Sequence, residues 1–403
     1  MIEPRLRFKA DDGSDFPDWE EKTLGELGTF TKGAALSKAD ISDEGNPLIL
    51  YGELYTTYKE VAYEVKRKTQ AIVDKIYYSN VGDVLIPTSG ESAEEISTAT
   101  CVMVPNVILA GDLNIFRSTV IDGRIMSYIL NYQAKRKIAT IAQGKSIVHI
   151  QAKQLGKIFV EYPVDKDEQQ KIADFLSTID TIIEKQRAMV SAWEERKKGV
   201  MQKLFSQEVR FKADDGSDFP DWEEKKFGDV IKEFKEKTKI EDEDILLSCA
   251  IDGVYLNSEL FGHQRGQSNI GYLKVKRGTL ILSAQNLHLG NANVNMRFEH
   301  GIISPAYKTY EIVGCTIEYM NQWVKWDMTK QFFYNATTVG ASGCRRNVDW
   351  LMLYNQMFIL PSLPEQQKIA DCLSALDTVI QKQKETLEKW QELKKGLLQQ
   401  MFV

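Results

Sequence analysis

The chain has 403 residues, 43% hydrophobic and 27% charged, with a formal net charge of −6. That length allows two or three domains, and no apolar run approaches the roughly 18 residues of a membrane span, which excludes a helical membrane protein. Cys101, Cys249, Cys315, Cys344 and Cys372 are scattered without a C-x-x-C pair, and Met1 to Arg5 lacks a signal-peptide core. The expectation is a cytoplasmic protein with reduced thiols, no disulfides and no zinc.

The acidic excess is local. Arg7 to Lys22 carries three cations against six acids, and the same 16 letters recur at Arg210 to Lys225. Each copy has a net charge of −3, so together they hold the whole −6 and the remainder is neutral. The chain is therefore an internal duplication: a lead-in motif, a variable segment and a long helix, then the same order again. Pro17-Asp18 beside Glu20-Glu21-Lys22 superficially matches the P-D…(D/E)-x-K pattern of metal-dependent nucleases. Such a site needs its two parts on neighbouring strands, well separated in sequence, so the metal geometry fails. The motif reads instead as a Gly/Asp turn followed by an aromatic anchor. Phe16, Pro17 and Trp19 are expected to pack against the base of the long helices, with the acids in solvent or facing a partner.

The first variable domain lies within residues 1–167. Leu48 to Tyr51, Val84 to Ile86, Cys101 to Val104 and Ile158 to Val160 are β-prone runs flanked by turn residues, and Ile125 to Ile141 has a helical period. A mixed α/β domain with a partly antiparallel sheet is expected. Arg124 to Val160 contains no acid in 37 residues but holds Arg124, Lys135, Arg136, Lys137, Lys145, Lys153 and Lys157. Such a stripe could neutralise several phosphates, although a solvated basic face has the same composition. Gln143, Lys145 and Ser146 form a loop inside it, with side chains suited to base edges or phosphate. Gly144-Lys145-Ser146 is not a P-loop, because the preceding glycine is missing.

Residues 168–206 form the first long helix and 365–403 the second. Both open on E-Q-Q-K-I-A-D and align without a gap at an offset of 197. Apolar residues recur at steps of four and three: Ile172, Leu176, Ile179, Ile183, Val190, Trp193, Val200 and Leu204, then Ile369, Leu373, Leu376, Ile380, Leu387, Trp390, Leu397 and Met401. A 3.5-residue period is the seam of a coiled coil. Gln186 and Gln383, then Lys197 and Lys394, interrupt it at matching places, and polar residues in a seam usually fix register. At ~1.5 Å per residue each helix is about 57 Å long, too long to be buried in one small domain. The simplest shared environment for two such helices is each other.

The second variable domain lies within residues 207–364, after the repeated lead-in. Leu260 to Phe298 holds no acid, but holds Arg265, Lys274, Lys276, Arg277 and Arg297 with many amides, among them Asn269, Gln285, Asn286, Asn291, Asn293 and Asn295. Amides and arginines in loops are the residue types that read adenine and guanine edges; a polar turn region without a ligand is the competing view. His263, His288 and His300 lack metal-ligand spacing. The loop Gly340 to Asn347, with Arg345 and Arg346, occupies the place of Gln143 to Ser146, before the last strand that leads into the long helix.

No methyltransferase tetrapeptide, Walker A sequence, dinucleotide glycine fingerprint or nucleophile elbow is present, so no catalytic residue is assigned. The duplicated layout, the two E-Q-Q-K-I-A-D helix starts, Val81 to Glu91 (V-G-D-V-L-I-P-T-S-G-E) and Gly111 to Ile115 (G-D-L-N-I) resemble the specificity (S) subunit of type I restriction–modification systems across the whole chain. The second domain departs at Arg277 to Gln285, which lacks P-T-S-G. The resemblance implies an α+β protein with two α/β target recognition domains. Each would be followed by a conserved helix, the two helices forming an antiparallel coiled-coil spacer with pseudo-twofold duplication. It implies that each domain reads one half of a bipartite double-stranded DNA site, with Ser89 added to the candidate contacts. Two methyltransferase subunits would clasp the helices and bind S-adenosylmethionine, and translocase–nuclease subunits would add for cleavage. This chain would itself bind no cofactor or metal. Two other classes remain open at this level: a non-DNA coiled-coil scaffold and a self-sufficient DNA enzyme.

Overall fold

The computed structural model describes residues 4–142, 148–261, 268–339 and 346–402. The chain divides into two compact units, Met1–Arg187 with Thr386–Val403, and Ala188–Glu385. Each unit holds one variable domain, the start of the long helix that follows it and the end of the other long helix.

In the first unit the lead-in strand Glu20–Thr23 pairs antiparallel with Phe159–Tyr162, the last strand before the helix. The main sheet runs in the order Thr29–Lys32, Leu113–Arg117, Asp83–Pro87, Thr100–Val102, Val61–Ala62. Its first four strands are antiparallel neighbours, and the edge strand Val61–Ala62 is parallel to its neighbour. Strand side chains alternate between faces. Val84 and Ile86 meet Ile125, Met126 and Ile129 of the helix Gly123–Tyr132, while Leu85 meets Ile49, Leu54 and Leu109. Cover on both faces explains why Val84 to Ile86 is an uninterrupted apolar run. The expected strands are present, with ends moved by one or two residues. The expected single helix over Ile125 to Ile141 is two, Gly123–Tyr132 and Lys135–Ile141. The break frees the Gln133 amide to donate to the Glu161 carbonyl (3.4 Å) and accept from its N–H (3.0 Å).

The second unit repeats this plan. Glu223–Lys226 pairs with Met357–Leu360, and the main sheet runs Ile231–Phe234, Tyr307–Ile312, Leu280–Ser283, Ala292–Val294, all antiparallel. This is the order of the first four strands of the other sheet, from segments with little shared sequence. Gly82 and Gly278, at the turns before the matching strands, have φ of +92° and +83°, a region open to glycine and costly for other residues. Val81 to Glu91 and Arg277 to Gln285 thus hold the same place, each within its own sheet.

The helix-opening heptapeptide is the joint of each unit. Glu168 is fully buried. Its carboxylate accepts two 3.0 Å bonds from Arg7 and one of 3.3 Å from the Trp19 indole. Gln169 accepts from the Asp122 N–H at the start of Gly123–Tyr132 (2.8 Å) and donates to the Pro163 carbonyl (2.7 Å). Lys171 donates to the Lys9 carbonyl and to Asp11. Ile172 and Ala173 enter the core. Glu365 with Arg210 and Trp222, Gln366 with Thr316 and Pro361, and Lys368 with Lys212 and Asp214 repeat the set. One short segment thus ties lead-in, domain and helix together. Phe16 and Trp19 are buried as expected, Trp19 beside Phe402, but Pro17 is exposed. It contributes its carbonyl to Arg7, and the surrounding acids stay in solvent.

The helices run Lys166–Phe205 and Leu363–Phe402, each starting two residues before its E-Q-Q-K. Within each unit the start of one runs antiparallel to the end of the other. Lys394 reaches Asp180 (2.7 Å) while Phe402 lies beside Trp19 and Tyr128. Lys197 reaches Asp377 (2.6 Å) while Phe205 packs on Tyr319 and Trp326. The seam lysines are therefore matching ion-paired layers. Ile172, Leu176, Ile179, Ile183, Ile369, Leu373 and Ile380 are buried, whereas Leu376, Trp193 and Trp390 are half-buried. Towards the C-terminal ends the buried set broadens to Met201, Leu204 and Phe205, and to Leu398, Met401 and Phe402. There the variable domain covers the helix too, and the narrow seam becomes a globular face.

Candidate nucleic-acid interface

In the second unit one surface gathers three segments distant in sequence. The first is the turn after Leu280–Ser283, carrying exposed Gln285 and Asn286. The Asn286 N–H donates to Ser283 Oγ (3.1 Å), and buried Leu287 anchors the turn. The second is the helix Asp327–Asn335, which packs on the short helix Leu287–Leu289 and exposes Lys330, Gln331 and Tyr334. The third is the hairpin of Thr337–Val339 with Arg346–Val348. There Arg346 donates to Thr337 Oγ1 (2.7 Å) and to its carbonyl (2.9 Å), with its guanidinium 4.0 Å from the Tyr334 ring centroid. The exposed acid of that helix, Asp327 at its first residue, is paired with Lys198 (3.1 Å).

The first unit builds the matching place differently. The turn after Asp83–Pro87 continues into Ser89–Gly90, which pairs with Val148–His149. The helix Ala93–Ile96 packs on Lys135–Ile141, with Lys135 Nζ 3.6 Å from Glu94. Glu91, Glu94 and Arg136 are exposed. In both units, then, the turn after the central strand, a helix and the short strand after a polar loop share one surface. A further short helix and the last strand follow before the long helix. The loops carrying Gln143, Lys145 and Ser146, and Arg345, adjoin these surfaces in sequence but lie outside the described residues, as does Arg265.

Other expected contacts are placed elsewhere. Ser89 is buried and donates to Asp112 (2.5 Å). The acid-free stripe of sequence does not form one face in space. Arg124 is buried between Asp122 and Asp174, and these carboxylates raise its pKa further, the Asp122 hydrogen bond most. Lys137 donates to the Phe159 carbonyl (2.8 Å). Lys276 and Arg277 precede strand Leu280–Ser283 whereas Gln285 follows it, which puts roughly 13 Å of strand between them. Lys276 pairs with Glu311, Arg277 with Glu299 and Arg297 with Glu259. The Arg297 hydrogen bond holds the Glu259 carboxyl below the usual carboxylate range.

The amides divide by burial. Asn269, Asn291, Asn293 and Asn295 are buried. Asn293 donates to the Ala250 carbonyl (2.8 Å) and Asn295 to those of Lys276 and Phe298, so they hold turns together. Sequence reasoning missed Lys330, Tyr334 and Thr337. Their signal was an amphipathic aromatic helix directly before the Gly340 to Gly343 loop. Among the described residues no group of His, Cys, Asp or Glu is placed to hold a metal ion, and no helix is long and apolar enough to cross a membrane.

Comparison with known proteins gives this arrangement a context. Residues 17–190 match the family profile described as type I restriction modification DNA specificity domain. The chain is 25% identical over 413 residues to the type I restriction enzyme MjaVIII specificity subunit of Methanocaldococcus jannaschii, covering 95% of this chain and 92% of that protein. Its fold is similar to the crystal structure of the type I restriction–modification S subunit from M. genitalium, with TM-score 0.59 and 14% identity over 100% of this chain and 99% of that one. A chain from a structure of type I R-M complex assembly and conformational transition aligns with TM-score 0.53 and 14% identity over 96% and 98%. The profile covers the first domain and the start of its helix, and the letter-for-letter lead-in, the matching joint and the repeated strand order extend the same plan through the second half. Residues 17–190 thus match the type I restriction–modification DNA specificity domain, and along nearly its whole length the chain is similar to a type I specificity subunit.

Proposed function

We propose that this chain is the DNA-recognition subunit of a cytoplasmic type I restriction–modification complex, reading one half of a bipartite duplex site with each variable domain. The observation that carries this reading is the pair of matching surfaces. Both sit at one position on one sheet plan, differ in side chains, and are held by identical joints. A frame kept constant around faces that differ is what a two-part reader needs. The chain performs no chemistry in this reading. Two methyltransferase subunits bind S-adenosylmethionine and methylate adenine, and translocase–nuclease subunits join for cleavage.

Methylome sequencing of cells with and without the gene tests this directly. A bipartite adenine motif should vanish with the gene; an unchanged methylome would sink the proposal. Replacing residues 226–364 with the matching domain of another family member should change one half-site only, and simultaneous change of both would refute separate reading. Binding should also weaken steeply with salt, as phosphate neutralisation requires.

A further inference from the structure

We infer that Arg346 reads a guanine in the half-site of the second domain, with Thr337 and Tyr334 as its positioning residues. The inference rests on the DNA-recognition reading above and adds the identity of one base pair.

Three arginines of this variable domain lie among the described residues, and two are committed to acids, Arg277 to Glu299 and Arg297 to Glu259. Arg346 pairs with no carboxylate among the described residues. Its partners are neutral and engage one edge of the guanidinium. Nε donates to Thr337 Oγ1 (2.7 Å) and Nη2 to the Thr337 carbonyl (2.9 Å). Thr337 is itself buried, and its hydroxyl proton goes to the Tyr334 carbonyl (2.7 Å), which leaves a lone pair aimed at Arg346. The Tyr334 ring, 4.0 Å from the guanidinium carbon, supports the flat face.

A guanidinium has five N–H donors in a fixed plane. The Thr337 contacts occupy the Nε/Nη2 edge. Both Nη1 hydrogens and the outer Nη2 hydrogen remain, and no described residue accepts them. That free end is a two-pronged donor of the spacing that meets O6 and N7 of guanine in the major groove, the commonest specific arginine contact. Among the described residues no carboxylate offsets its positive charge. Holding one edge and one face reduces the freedom lost on binding. A phosphate could also accept this fork, but phosphate contacts carry no sequence information, so the two differ in what a substitution does.

The test uses the complete complex of this chain with its methyltransferase subunits. Methylation motifs are read in cells, and affinities are measured on duplexes with each base pair varied. Arg346→Lys keeps the charge and loses the fork. It should relax one G·C position of one half-site, lowering discrimination there by roughly 10- to 100-fold, and leave the other half-site unchanged. Thr337→Val, which keeps the backbone acceptor, and Tyr334→Leu should relax the same position by less. Uniform weakening across sequences, with a salt slope lowered by about 1, would make Arg346 a phosphate contact and overturn the guanine assignment. So would an unaltered motif, or a wild-type half-site without guanine. Failure of the wild-type complex to bind or methylate any bipartite site would overturn the DNA-recognition reading as well. If Arg346→Lys does not fold, Thr337→Val decides between the same outcomes.

Discussion

The two variable domains share a strand order and a joint, yet their exposed faces differ in charge and construction. The first face sets Lys135 against Glu94 and carries a further exposed glutamate, Glu91, whereas the second exposes amides, Lys330 and an arginine held by neutral partners. The contrast separates two kinds of constraint. A side chain that closes a buried joint has its identity dictated by several partners at once. One at the rim of a turn or hairpin has few neighbours to satisfy and can change with the ligand.

The largest expected effect tests whether the joints are equivalent. Glu168→Ala removes the buried carboxylate from Arg7, whose side chain is 19% exposed and still has exposed Asp18 at 3.8 Å, and Glu365→Ala does the same to Arg210 at 24%, with exposed Asp221 at 3.8 Å. Breaking a buried pair by removing one partner costs about 3–5 kcal/mol, and both variants should fall in that range by denaturant unfolding. The fluorescence of Trp19 and Trp222, each bonded to the glutamate removed, reports the loss. A large loss in one variant alone would show that the duplicated joints are not doing the same job.

A smaller effect tests where the units diverge. Lys394 lies 2.8 Å from Glu60 and 2.7 Å from Asp180, both carboxylates being mostly buried, with Tyr132 and Tyr128 bonded to the two acids. Among the described residues its counterpart Lys197 pairs with one acid, Asp377, 43% exposed and also held by Gln322. Lys394→Met should cost about 3 kcal/mol, because two acids are left facing each other, and Lys197→Met about 1 kcal/mol or less. Equal losses would erase the distinction. Burial pushes the Glu60 carboxyl up, but Lys394 more than reverses this, so its pKa is lowered. A lowered carboxyl contributes stability that is present above the unfolded pKa, near 4.3, and is lost as pH falls through the folded value. Burial pushes Lys394 down, but its two acids raise it above the ordinary lysine value. Its contribution persists to high pH, fading only as pH rises through the folded pKa. Acid titration should therefore shrink the difference between wild type and Lys394→Met.

These contrasts also mark what was legible in the sequence. The duplication, the helices and their polar layers could be read because they are written as repeats. Lys197 and Lys394 were visible as seam defects, and their matching acids, Asp180 and Asp377, obey the same offset. The site was less legible. Freedom from acids along the chain said nothing about acids arriving from elsewhere, so Arg124, Lys276, Arg277 and Arg297 proved to have carboxylate partners. Buried Asn293 and Asn295 carry the same letters as exposed Asn286. Only tertiary structure tells an amide satisfying a turn from one facing outward.

On the second face, Gln285→Ala and Asn286→Ala should alter one half-site, each losing about 1–3 kcal/mol of discrimination if it meets a base edge. An unchanged motif in both would remove that turn from the reading surface.

The smallest effect concerns the first face. If Lys135 and Arg136 approach phosphates, Arg136→Ala should lower the salt slope by about 1 without changing the motif. Lys135→Ala is a less clean test, because it removes a cation and releases Glu94, whose repulsion of DNA then adds to the loss. Glu94→Gln separates the two terms. The pair is solvent-exposed, Glu94 by 84% and Lys135 by 37%, so the ion pair itself contributes little to folding and the substitution should leave stability within about 0.5 kcal/mol. Affinity should rise modestly for all sequences at low salt, and the gain should disappear as ionic strength shortens the reach of the charge. A gain confined to one base position would mean that Glu94 touches a base and takes part in reading. No gain at low salt would mean that DNA does not approach this face, and the match between the two surfaces would then be one of folding alone.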